Sequence, residues 1–181
     1  SAYDGAAADP ADIQVGDHIM AWYQVVAISY PGQTHASHLM LLPAAGENGL
    51  AELPPDGTEL SIVLEGDMAL PVSGRVENGT AMVPVAAAAR ALGYEVTYTP
   101  GRNGSGSLVT VESDSFCVRL HTGEKTIVGV TKIDGAGGMT APTDYGAAPY
   151  IAAPGITWAP AQLFEMLGRT VTLDGTTLSI R

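Results

Sequence analysis

The pattern Leu-Gly-x-x-Val-Thr occurs twice in this chain, at Leu92–Thr97 and at Leu167–Thr172, with its glycines 75 positions apart. Each copy closes a short stretch that opens on a proline, Pro84 in the first and Pro160 in the second, and each runs on into alternating apolar residues. Proline has a fixed φ and no N–H to lose, which suits the first position of a helix; glycine takes the φ > 0 that ends one. The same helix-then-hairpin order therefore recurs. A repeat of this kind marks a duplicated structural unit, each copy burying an apolar face that it cannot bury alone. It constrains architecture strongly and activity weakly.

A chain of 181 residues fits one larger domain or two small ones, and folding at this size buries roughly 70% of the unfolded surface. Hydrophobic residues make up 46% and charged residues 15%, so a core can form without metals or crosslinks. The net charge of −11 argues against nucleic acid, which needs clustered Lys and Arg, and against adhesion to anionic lipid. Cys117 is the single cysteine, so no intrachain disulfide forms. It lies in the strand-like run Ser115–Leu120 and reads as a small buried hydrophobe. No apolar run reaches the ~18 residues of a membrane-spanning helix. The chain opens on Ser1 rather than Met, which reads as a processed or cut product whose export signal has been removed.

Residues 1–55 read as a loose lead-in followed by an N-terminal β-hairpin segment, with strand-like runs at Val15–Ala27 and Ser37–Pro43 around the turn signal Pro31-Gly32. A linker over 44–58 separates it from a duplicated domain spanning 56–181, copy one over 59–112 and copy two over 115–181. In copy one, Glu59–Leu70 reads as strand, turn, strand, and Asn78-Gly79 is a hairpin turn. A helix follows from Pro84 to Leu92, then a hairpin from Tyr94–Thr99 to Leu108–Glu112. In copy two, Phe116–His121 pairs with Lys125–Lys132, a helix runs from Pro160 to Leu167, and a hairpin closes across Asp174-Gly175. Copy two is about 19 residues longer between its first turn and its helix, and the Gly/Ala/Pro/Thr-rich stretch Asp134–Gly146 lies in this extra length. Its Gly, Ala, Thr and Pro content predicts a loop that is mobile or held only by packing of Met139 and Tyr145, and dispensable for stability.

The stretch Gly79-Thr80-Ala81-Met82-Val83-Pro84 through Leu92-Gly93-Tyr94-Glu95-Val96-Thr97 resembles the signature of the copper amine oxidase N-terminal-like, or stalk, domain. Ile156-Thr157-Trp158-Ala159-Pro160 through Leu167-Gly168 looks like a second occurrence, one residue shorter between proline and Leu-Gly. The resemblance covers about 59–181. It departs at the arginine that usually follows Val-Pro, where Ala86 and Gln162 stand. It implies an α+β fold of antiparallel sheet wrapped around short helices, in exported bacterial proteins, with no catalytic residues of its own. The segment 13–43 is similar to small β-barrel segments that precede such repeats in surface proteins.

The family name invites a copper enzyme. The tyrosine that becomes the quinone of such enzymes follows an asparagine, and none of the seven tyrosines here does. The four histidines, His18, His35, His38 and His121, form no His-x-His pair, and His35-x-x-His38 has no adjacent carboxylate to complete a metal site. Gly135-Ala136-Gly137-Gly138 leads into no helix start, so it is no phosphate cradle. No Gly-x-Ser-x-Gly elbow exists. Catalytic residues, metal ligands and cofactors are therefore expected to be none.

The aromatic residues remain. Trp22, Tyr23 and Tyr30 cluster around the first hairpin and Tyr145 and Tyr150 flank the end of the insertion, a set that could bind sugars or peptides through its apolar faces. Trp158, Tyr94 and Tyr98, inside the repeat, read as core. Trp22 and Tyr23 are adjacent in a strand and so point to opposite faces. The expected function is a non-catalytic exported binding or spacer module, extracellular or wall-associated, with cell-wall polysaccharide or another surface protein as partner. A second reading is an interaction or self-associating module, homodimeric through exposed sheet edges at the uncharged stretches Leu108–Val111 and Thr176–Ile180.

Overall fold

The computed structural model describes residues 9–27, 33–42, 50, 53–102, 105–133 and 137–181; Tyr30, most of the linker and residues 134–136 lie outside them. In chain order the strands are β1 (His18–Ala27), β2 (Gln33–Leu42), β3 (Glu59–Leu64), β4 (Met68–Ala69), β5 (Gly74–Glu77) and β6 (Thr80–Pro84). Helix α1 (Val85–Ala91) follows, then β7 (Glu95–Thr99), β8 (Leu108–Glu112), β9 (Phe116–His121), β10 (Thr126–Thr131), β11 (Gly138–Met139) and β12 (Thr143–Asp144). The chain closes with β13 (Tyr150–Ala152), β14 (Ile156–Pro160), a 3-10 segment at Ala161–Leu167, β15 (Val171–Asp174) and β16 (Thr177–Ile180).

These strands make two sheets. The first runs β2-β1-β11-β10-β9-β8-β7 with β12 also on β10; the second runs β13-β14-β6-β5-β3-β16-β15 with β4 also on β3. All pairs are antiparallel except β3 with β16. The buried side chains of both sheets, from Leu60 and Ile62 to Val118 and Leu120, form one core that also takes in Met20, Trp22 and Met40 of the first hairpin.

The fold is mostly β, with strand over 50% of the chain, and this overturns the expected α+β sheet wrapped around helices. The physical reason lies between each proline and its glycine. Seven residues give about two turns of helix, too little to cover a sheet face of several strands, so the sheets cover each other. The 3-10 segment lies between the two sheets, touching β9 and β10 of one and β6 and β15 of the other. Six of its residues are buried, consistent with a helix that is apolar nearly all round. Helix α1 is one-sided. Val85, Ala88 and Ala89 are buried, while Ala86 and Ala87 are half-exposed and Arg90 is exposed.

The repeated Leu-Gly has one physical meaning in both places. Gly93 and Gly168 both take φ near +80. Gly93 N–H donates to Arg90 O and Tyr94 N–H to Ala89 O; Gly168 N–H donates to Glu165 O and Arg169 N–H to Phe164 O. Each is a Schellman cap, which satisfies the last carbonyls of the helical turn and turns the chain into the next strand. Upstream, β6 and β14 lie side by side with Val83 opposite Ala159, Pro84 opposite Trp158 and Met82 opposite Pro160. Asn78 and Gly79, at φ 51 and 66, make the primed turn that Asn-Gly predicts between β5 and β6.

Two expectations are corrected by the pairing. Strands β8 and β16 are interior to their sheets, so Leu108–Val111 and the stretch ending at Ile180 are not free edges; among the described residues the sheets end at β2, β7, β13 and β15, and the two-residue strands β4 and β12 also pair on one side only. The insertion is also not held by side chains alone. Met139 pairs with both Tyr23 and Val130, so β11 joins the first hairpin to β10, and β12 pairs with Thr126 and Ile127.

Candidate functional site: a groove at the open end of the sandwich

The five aromatic residues nominated by the sequence do not converge. Trp22 is fully buried, its ring 5.2 Å from that of His38 and 5.0 Å from that of Phe116, and it presents no face to a ligand. His38 packs its ring against Trp22 and Phe116, where burial lowers its pKa, while His35 is exposed. Tyr23 is half-buried in register with Met139, and Tyr30 lies outside the described residues. Tyr145 packs against the core, where desolvation first, and the charge of Glu165 second, raise its pKa. Cys117 is buried and desolvation raises its pKa as well, which leaves it an inert thiol. Among the described residues no group of three His, Cys, Asp or Glu could hold a metal ion.

Tyr150 does belong to a cluster, on the outer face of the second sheet. Its hydroxyl accepts from the Arg75 guanidinium and donates to Glu77 Oε2 at 2.8 Å, and Arg75 pairs with Glu77 at 2.6 Å. The Arg75 guanidinium sits 4.2 Å from the Trp158 ring centre. The aromatic faces here are already stacked, so this cluster fastens β5, β13 and β14 together rather than offering a platform.

A groove of about 510 Å³ opens beside it, lined by residues of both sheets and of α1. Its floor is the exposed side of α1 (Ala86, Ala87 and Arg90) together with Val109; one wall is Val96 and Tyr98 of β7, the other Ile151, Ile156 and Val72. Eight large apolar residues among those described are exposed, and four of them, Val72, Tyr98, Ile151 and Ile156, line this one groove. Such concentration marks an interaction surface, whereas apolar residues scattered singly do not. The walls also include edge strands: among the described residues β7 pairs only with β8 and β13 only with β14. Ala86 helps to form the opening: it stands where the resembling signature carries a long arginine, and its small side chain leaves the floor clear. The arrangement suits capture of an extended, apolar-faced ligand, and the polar side chains on its lining are Arg90, Tyr98 and Thr157.

Sequence reasoning missed this site and placed Tyr98 in the core, yet Tyr98 is 51% exposed. The groove draws on three stretches far apart in the chain, near 72, 84–98 and 151–157, and no local pattern joins them. The departure at Ala86 was the one local signal.

No curated protein and no solved structure matches the chain. Residues 63–181 match the family described as copper amine oxidase N-terminal domain. The chain belongs to that family, a part of these amine oxidases that is itself non-catalytic.

Proposed function

We propose that this chain is a non-catalytic, exported binding module of a bacterial surface or cell wall, which holds an extended polypeptide segment in the groove between β7 and β13. The observation that carries this reading is the gathering of Val72, Tyr98, Ile151 and Ile156 between two edge strands. Strand addition supplies main-chain hydrogen bonds, and alternate apolar side chains of the ligand fill the groove. The domain is a duplicated stalk unit on this reading, supported by the two Schellman caps and by the antiparallel meeting of β6 and β14 at Val83 and Ala159. Cell-wall polysaccharide is the weaker candidate ligand. It calls for broad bare aromatic faces, and Trp22 is interior while Trp158 carries Arg75 on its ring, which leaves Tyr98 as the single aromatic lining the groove.

The test is titration of a labelled alternating Thr-Val peptide, in parallel with retention on wall glycan. Binding of the peptide, weakened by about tenfold or more in Ala86→Arg with an unchanged melting temperature, is expected. Glycan retention that Ala86→Arg leaves intact, without peptide binding, would refute the groove.

A further inference from the structure

Among the described residues Arg90 is the one charged side chain on the lining of the groove, and no Asp or Glu lies beside it there. It stands in the last turn of α1 and is exposed. Its guanidinium makes no hydrogen bond or ion pair among the described residues. Arg75, Lys132, Arg169 and Arg181, by comparison, each hold a carboxylate, that of Glu77, Glu112, Glu65 and Asp67. In a chain of 19 acidic and 8 basic residues, the groove thus keeps an unmatched cation among apolar walls.

Helix geometry fixes where that charge sits on the floor. Ala86 and Arg90 are four residues apart, so they share one face of α1 and lie about 6 Å apart along its axis. In an extended ligand the side chains of one face recur every second residue, about 6.6 Å apart. The two spacings match. A ligand side chain seated over Ala86 is followed, two residues along, by one over Arg90. A guanidinium offers paired N–H donors that fit a planar carboxylate. Polyanions and phosphates call for several cations together, and this groove has one, in a chain whose net charge of −11 repels such ligands. Strands β7 and β13, each paired on one side, add main-chain partners that a polypeptide uses and a fatty acid does not.

Resting on the groove being the binding surface, we propose that its occupant is an extended polypeptide segment that carries Asp or Glu two residues from a large apolar side chain. The acid pairs with Arg90, and the apolar side chain fills the space that Ala86 leaves open between the walls. Arg90 then selects among apolar-faced segments, which the walls alone do not distinguish. The ion pair is open to solvent, so the selectivity fades as salt rises.

Titration of the full chain with labelled Thr-Val peptides reads this directly, because their valines share one face. With its central Val replaced by Glu, the peptide should bind about fivefold tighter than the same peptide with Gln at that place. Glu against Gln at the adjoining Thr, which faces away from the groove, should make little difference. Arg90→Gln should abolish the preference for Glu, and Arg90→Glu should reverse it, so that a peptide with Lys at the central place binds better. The peptide comparison on the unaltered chain keeps the test intact should either variant fail to fold. Equal affinity for the central Glu and Gln peptides, or a preference that survives Arg90→Gln, overturns the proposal. If the peptides bind equally and Ala86→Arg still weakens them, the groove stands and only the acidic partner falls. If no peptide binds, both readings fall, and binding of laurate that Arg90→Gln removes would then assign the groove to an amphiphilic acid.

Discussion

Tyr94 and Arg169 each stand immediately after the glycine that ends a helical segment, and the two side chains meet. The Arg169 guanidinium lies 5.5 Å from the Tyr94 ring centre, its Nε donates to the Tyr94 hydroxyl, and its Nη1 pairs with Glu65. Corresponding positions of the repeated motif are thus in contact, so the two caps share a clasp. A double-mutant cycle on Tyr94→Leu and Arg169→Met should give a coupling of about 0.5–1 kcal/mol, the range of a partly exposed cation–π contact. Strict additivity in urea unfolding would show the clasp to be idle.

The caps themselves give a second prediction. Gly93 and Gly168 sit at φ +80, and a Cβ at Gly93 would meet nothing within 4 Å, so Gly93→Ala isolates backbone strain. Each alanine should cost about 1–2 kcal/mol, and asparagine less. A neutral Gly93→Ala in chemical denaturation would remove the Schellman cap as the reason for the motif.

Gly138 lies where β11 runs against β1. A Cβ there would sit 2.7 Å from Ser37 Oγ and 3.1 Å from the Tyr23 backbone nitrogen, so the hairpin would have to move. Gly138→Ala should destabilise the docking of β1 and β2 by about 1–3 kcal/mol, as overpacking does. Trp22, buried against Phe116, should then shift its emission to the red at lower denaturant than the main transition. Coincident transitions would show that β11 does not hold the hairpin.

Glu165 lies on the 3-10 segment between the sheets and is 6% exposed; desolvation raises its pKa from 4.5 to about 7. The folded state therefore keeps a proton that the unfolded chain releases between those values. Stability from this group is complete below about pH 4.5 and falls as pH rises to about 7, by about 3 kcal/mol in all. Glu165→Gln keeps the shape and cannot ionise, so the parent's stability relative to this variant should decline across this window. Equal slopes in urea melts at a series of pH values would contradict the assignment.

Much of the local structure was legible in the chain. The primed turn at Asn78-Gly79, the stops at Gly93 and Gly168 and the hairpins β7–β8, β9–β10 and β15–β16 follow from rules that act over a few residues, because φ preferences and short-loop closure are properties of the local sequence. Alternation placed Trp22 and Tyr23 on opposite faces, as any strand does. Which of them met the core was settled by where β1 docked, beside β11 and over Phe116. Long-range pairing likewise put uncharged β8 and β16 inside their sheets and left β7 at an edge with Tyr98 exposed. The groove exists because that edge faces Ile151 and Ile156 across α1. Period-two alternation tells each strand which side chains share a face, and only the packing of distant strands decides which faces meet water.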